Sequence, residues 1–118
     1  MKKVLLLFSA VVLFFSCRYD SEEEMFGLTA CDTTNVRHSV EIISILQSRC
    51  FECHGGTATN GGGLQLEQYA VLKLTAQNGL LVDAITRQVN QMPKGRMALT
   101  ACQIAQIRTW VRNGAPNN

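Results

Sequence analysis

Cys50-Phe51-Glu52-Cys53-His54 sets two thiols three positions apart and an imidazole directly after the second. On a helix that spacing puts the two sulfurs about one turn apart on one face. They can then bond the two vinyl groups on one edge of a porphyrin, while His54 projects over the ring as an iron ligand. Cys-x-x-Cys-His is the attachment sequence of c-type haem. Other chemistries use parts of the same pentapeptide. A thioredoxin-like dithiol would sit in an alternating strand and helix pattern, and none is visible around it. A zinc site would need two more ligands at regular spacing, but His38 is the only other histidine and Cys31 and Cys102 are scattered.

An electron-carrying haem iron takes a second axial ligand, and methionine is the one that favours reduced iron and raises the potential. Of four methionines, Met1 lies in an apolar leader and Met25 in a polar stretch, which leaves Met92 and Met97. Met92 is followed by Pro93, which restricts it to extended geometry and suits it to present a thioether from a loop. Met92 is therefore the expected distal ligand, with Met97 the alternative. His38 would give a lower-potential bis-histidine centre and is the minor option. Near Met92 the sequence offers only amide and basic groups, not the acid or base that catalysis at an open iron position needs.

These residues need elements to hold them. Val40, Ile43, Leu46 and Cys50, with Ile42 and Ile45 beside them, predict a helix from about Ser39 to Cys50 that carries the pentapeptide at its C-terminal end. Gly55-Gly56 and Gly61-Gly62-Gly63 then interrupt regular structure, either as a backbone that approaches the porphyrin closely or as a flexible surface loop. A helix is expected near Glu67 to Thr75 and another from Leu80 to about Val89. The last helix carries the strongest signals. Thr100-x-x-Gln103 is a capping box, Ile104, Ile107, Trp110 and Val111 form an apolar stripe, and Asn113-Gly114-x-Pro116 ends it. That stripe needs a partner, and the N-terminal helix is the candidate. Trp110 is expected in the core.

The chain has 118 residues, 47% hydrophobic and 17% charged, so one small domain is the ceiling. Met1-Lys2-Lys3 and the apolar run from Val4 to Phe15 form the charged and hydrophobic regions of an export signal. The run is well short of the roughly 20 residues a bilayer span needs, and Arg18, Asp20 and Glu22 to Glu24 follow directly. Phe14-Phe15-Ser16-Cys17 resembles a bacterial lipobox with Cys17 as the lipidated mature N-terminus, Phe14 standing where such signals carry Leu, Val or Ile. Ordinary secretion and a retained anchor are the alternatives, and all three export the domain. Residues 1–16 are then the signal peptide, 17–30 an acidic solvated tether, and 31–118 the folded domain. The tether also resembles the export signal of some surface lipoproteins, so the expected location is the periplasmic side of the envelope, the outer membrane or the cell surface. There are eleven basic and nine acidic residues. Loss of Lys2 and Lys3 with the leader evens that balance, so there is no nucleic-acid footprint.

In an oxidising compartment five cysteines need five assignments. Cys17 takes lipid and Cys50 and Cys53 take haem, which leaves Cys31 and Cys102 to pair. Such a bridge closes a loop of roughly 70 residues and is worth about 4 kcal/mol in loop-closure entropy, a useful supplement to a small core. A pair of buried reduced thiols is the alternative.

Together, Cys31-Asp32-Thr33-Thr34, Cys50-Phe51-Glu52-Cys53-His54, Met92-Pro93-Lys94-Gly95, Leu99-Thr100-Ala101-Cys102 and Gly114-Ala115-Pro116 resemble a small class I monohaem cytochrome c domain of the lipoprotein-anchored bacterial kind. The resemblance implies an all-α fold with N- and C-terminal helices packed together around one covalently bound haem c. It implies Cys50 and Cys53 as attachment points, His54 as proximal and Met92 as distal iron ligand. The expected function is electron transfer between a redox donor and an acceptor met transiently, with no substrate transformed. Two rivals stand beside it: a five-coordinate haem enzyme or gas sensor, and a non-haem structural lipoprotein held by disulfides. Lys73, Arg87, Lys94 and Arg96 are candidates for a basic docking rim, though scattered solvated charges are the plainer reading.

Overall fold

The computed structural model describes residues 31–118, which form one compact unit, Cys31–Asn118. The segments expected to be the export signal and the acidic tether, with Cys17 as the expected lipidation site, lie outside the described residues. Within them the protein is all-helical, with no strand among the described residues. A π-helical turn, His38–Ile42, runs directly into α1, Ile43–Arg49. Then come α2, Phe51–His54, a 3-10 turn at Thr59–Gly61, α3, Tyr69–Gln77, α4, Leu80–Thr86, and α5, Ala101–Arg112.

The opening π turn changes the phase of the first helix. The Ile42 amide donates to the Arg37 carbonyl. The buried face is accordingly Ile42, Ile45 and Leu46, while Val40, expected on the inner stripe, is 45% exposed. The turn's free amides are satisfied from far along the chain. The His38 amide donates to Asn118 Oδ1 and the Ser39 amide to the Asn118 carbonyl, both at 2.8 Å. Glu41 reaches back to the Arg37 amide at 2.8 Å and pairs with its guanidinium.

α5 has the ends its sequence calls for. The Thr100 hydroxyl accepts from the Gln103 amide and the Gln103 side chain accepts from the Thr100 amide, a complete capping box. At the other end the Gly114 amide donates to Val111 and the Ala115 amide to Trp110, with Gly114 in the left-handed region (φ 88°), which is a Schellman stop. The stop also seats the core's largest side chain. Trp110 is fully buried, and its indole donates to the Pro116 carbonyl at 2.9 Å. The Tyr69 hydroxyl donates to the neighbouring Ala115 carbonyl at 2.7 Å.

α5 packs against the His38–Ile42 turn and against α4. The core between them gathers Ile42, Ile45, Leu46, Leu72, Ala76, Leu81, Ile85, Ile107 and Trp110. Cys31 and Cys102 are disulfide-bonded, with Cα atoms 5.4 Å apart, and tie the entry of the unit to the first turn of α5.

The middle helices start later or stop earlier than their periodicity suggests. α3 begins at Tyr69 because Gln65 to Gln68 form a turn and the Glu67 carboxylate is committed to the Gly56 amide at 2.8 Å. α4 ends at Thr86, short of Val89, because the chain folds back onto it. The Met92 amide donates to the Ala84 carbonyl and the Gln91 side chain to the Ile85 carbonyl, both at 2.8 Å. Those carbonyls would otherwise end the helix unpaired.

Candidate functional site

The pentapeptide does not simply continue α1. The backbone breaks at Cys50 (φ −122°, ψ −39°) and restarts as the single turn α2. The Cys50 carbonyl accepts from both the Cys53 amide (3.1 Å) and the His54 amide (2.9 Å), so both cysteines and the histidine sit on one hydrogen-bonded turn. Neither Cys50 nor Cys53 is in a disulfide. Cys53 is exposed and Cys50 only partly so. Burial pushes the Cys50 thiol up to about 11, with Arg49 opposing weakly. A thiol raised in this way is mostly protonated, and so a weak nucleophile, at neutral pH.

Behind α2 the glycine-rich segment folds back onto the histidine. His54 Nδ1 lies 3.1 Å from the Leu64 carbonyl, and the Leu66 amide donates to the His54 carbonyl at 2.9 Å. A carbonyl only accepts, so this contact requires the proton on Nδ1 and leaves Nε2 with its lone pair. Metal-ligating histidines are held in this way, the second nitrogen fixing tautomer and ring orientation. Gly61 makes the approach possible. A Cβ there would lie 2.5 Å from both the Cys53 carbonyl oxygen and His54 Nδ1. At Gly61 the segment thus packs closely against the imidazole, while Gly62 and Gly63 stay at the surface.

Two adjoining cavities, about 360 and 290 Å³, meet at this turn. Cys50, His54, Gly61 and Met92 line both. Cys53, Arg49 and the loop Pro93 to Arg96 line the first. Leu64, Leu66, Leu81 and Ile85 give the second an apolar wall. Met92 therefore joins Cys50 and His54 around a shared hollow, held by its amide on α4, and its peptide bond to Pro93 is cis. Met97 lines neither cavity and is 77% exposed. His38 is also elsewhere, packed edge-on to Tyr69 (5.0 Å) and stacked on Trp110 (5.9 Å) at the helix crossing.

The residues present suit a haem. The side chains expected to attach it and to ligate its iron line one cleft, the histidine carries the right free nitrogen, and the inner wall is apolar. Among the described residues, no three His, Cys, Asp or Glu side chains cluster closely enough to hold a metal ion. A haem iron asks for only one protein ligand on each face. A further hollow, about 830 Å³, is an open groove lined from α4 and α5 by residues such as Val82, Ile104, Arg108 and Arg112, and includes none of the expected ligands.

One sequence reading needs amendment. The surroundings of Met92 are not only amide and basic. Asp83 lines the second cavity, exposed and 3.6 Å from Arg87, an ion pair at the rim. Of the four candidate rim residues, three border the adjoining cavities and Lys73 does not. Lys73 lies over the Tyr69 ring, Arg87 borders the second cavity, and Lys94 and Arg96 border the first together with Arg49. Arg49, the Leu64 carbonyl and Asp83 had no signal in the sequence. The run Gly61-Gly62-Gly63 did signal a close backbone approach, though its object is the histidine ring. No family model matches the chain, and no curated protein or solved structure matches it either.

Proposed function

We propose that this protein is a monohaem c-type cytochrome with a class I-like fold, carrying single electrons between redox partners. Cys50 and Cys53 would hold haem c covalently, with His54 as proximal and Met92 as distal iron ligand. The observation that carries the reading is the meeting of Cys50, His54 and Met92 around a shared cleft, with His54 Nδ1 committed to the Leu64 carbonyl. Bound there, haem supplies an iron that alternates between ferric and ferrous states at nearly constant geometry. The protein's part is to fix the imidazole, present the thioether and exclude water. Leu64, Leu66, Leu81 and Ile85 do the last.

Two protein ligands leave no position for a substrate, so the protein acts as a carrier rather than an enzyme. Export with Cys17 lipidated would hold it at the membrane on the periplasmic side of the envelope or at the cell surface, where donor and acceptor meet it transiently.

The test is the reduced-minus-oxidised visible spectrum of protein matured with haem, compared in Met92→Ala and Met97→Ala. The weak far-red sulfur-to-iron band should vanish in Met92→Ala and persist in Met97→Ala. A high-spin spectrum with rapid carbon monoxide binding to wild type would instead support a five-coordinate sensor or enzyme. A colourless protein would support a structural lipoprotein.

A further inference from the structure

The distal loop is held in two unequal halves. Its upstream half is anchored on α4 by the Met92 amide and the Gln91 side chain, and braced internally by Arg87 Nε donating to the Asn90 carbonyl at 3.0 Å. Its downstream half has little. Among the described residues, the polar contact that ties residues 93–98 to another segment is the ion pair of Arg96 with Glu52. Glu52 lies between the two cysteines of the pentapeptide, so this contact joins the loop that follows Met92 to the turn that carries Cys50, Cys53 and His54. Both side chains border the first cavity, where Glu52 is the one carboxylate facing three cations, Arg49, Lys94 and Arg96.

We propose that Glu52 and Arg96 form a latch across the mouth of the cleft, acting as positioning residues that keep Met92 in place and competing ligands out. The inference rests on the haem reading above. Both side chains are more than half exposed, so the latch is weak and sensitive to salt. It is also asymmetric. Losing Arg96 leaves Glu52 with Lys94 and Arg49 as substitutes, whereas losing Glu52 leaves three like charges around one opening. Glu52→Gln should therefore loosen the loop more than Arg96→Gln.

The experiment titrates ferric holoprotein with imidazole, following loss of the methionine band at low and at high salt. In wild type, imidazole should bind more tightly as salt rises. Glu52→Gln should bind it about two- to five-fold more tightly at low salt, the range expected from an exposed ion pair, and its salt dependence should reverse, because rising salt screens the three cations left without their carboxylate. Arg96→Lys should behave as wild type, and the double variant Glu52→Gln/Arg96→Gln should be no looser than Glu52→Gln alone. Melting temperatures near the wild-type value would separate positioning from general destabilisation. The latch is overturned if the holoprotein shows its methionine band yet imidazole affinity is the same in wild type and Glu52→Gln at both salt concentrations. A protein that matures without haem overturns the haem reading and the latch together.

Discussion

The helix crossing and the cleft are built on different principles. At the crossing, protein closes on protein. Trp110 is fully buried, its indole and the Tyr69 hydroxyl both find backbone carbonyls just beyond α5, and Asn118 satisfies the first amides of the opposite turn. At the cleft, side chains from α2, the glycine-rich segment, α4 and the distal loop border a hollow, and the flanking loop is exposed, Val89 at 74% and Met97 at 77%. Stability and chemistry are thus placed apart. Damage at the crossing should unfold the protein without changing the spectrum of what stays folded, and damage at the cleft should do the reverse.

Trp110→Ala is the most direct way to break that division from the stable side. Emptying the centre of the crossing should cost about 3–5 kcal/mol in denaturant unfolding, with the absorption spectrum of the folded fraction unchanged. Replacing Cys31 and Cys102 by serine should cost up to about 4 kcal/mol in the same assay, again with an unchanged spectrum. Gly61→Ala attacks the other region. Its methyl would meet the Cys53 carbonyl and the His54 ring, at about 1–3 kcal/mol of strain, and the spectrum should shift because the imidazole must move.

The smallest effect sharpens the contrast through pH. His38 lies at the crossing with its Nε2 buried and unpartnered, and burial holds its pKa below the ordinary 6.5, the Asn117 side chain working weakly against this. Below 6.5 the unfolded chain therefore binds a proton more readily than the folded one. The stability contributed by neutral His38 is complete above 6.5 and is lost as pH falls through the depressed folded value. Melting temperature measured from pH 7.5 down to 5 should fall in wild type and fall less steeply in His38→Gln. Asp32 and Glu41, both lowered mainly by hydrogen bonds from Thr34 and Arg37, would add their own loss only at lower pH, below the ordinary carboxylate range.

What the sequence foretold and what it missed divide along local and distant causes. Both ends of α5 were legible because a capping box and a Schellman stop are made by residues within a few positions of each other. The phase of the first helix was not. Its opening turn is π-helical, and Asn118, at the far end of the chain, completes its amides. The early end of α4 escaped notice for the same reason, since Met92 and Gln91 return to its carbonyls from beyond a reversal. At the site, Cys50, Cys53 and His54 could be read from spacing alone. Choosing Met92 over Met97 with any geometric force required the fold, because both lie in one loop and only its path decides which borders the cleft. The Leu64 carbonyl on His54 was invisible, since backbone carries no residue signature.

The central claim is a covalent porphyrin on Cys50 and Cys53, and intact mass measured on protein exported and matured with haem tests it most directly. The account predicts one haem per chain that survives denaturation and disappears in the double variant Cys50→Ser/Cys53→Ser. A wild-type mass with no tetrapyrrole adduct, under conditions where a known c-type cytochrome matures normally, would contradict it.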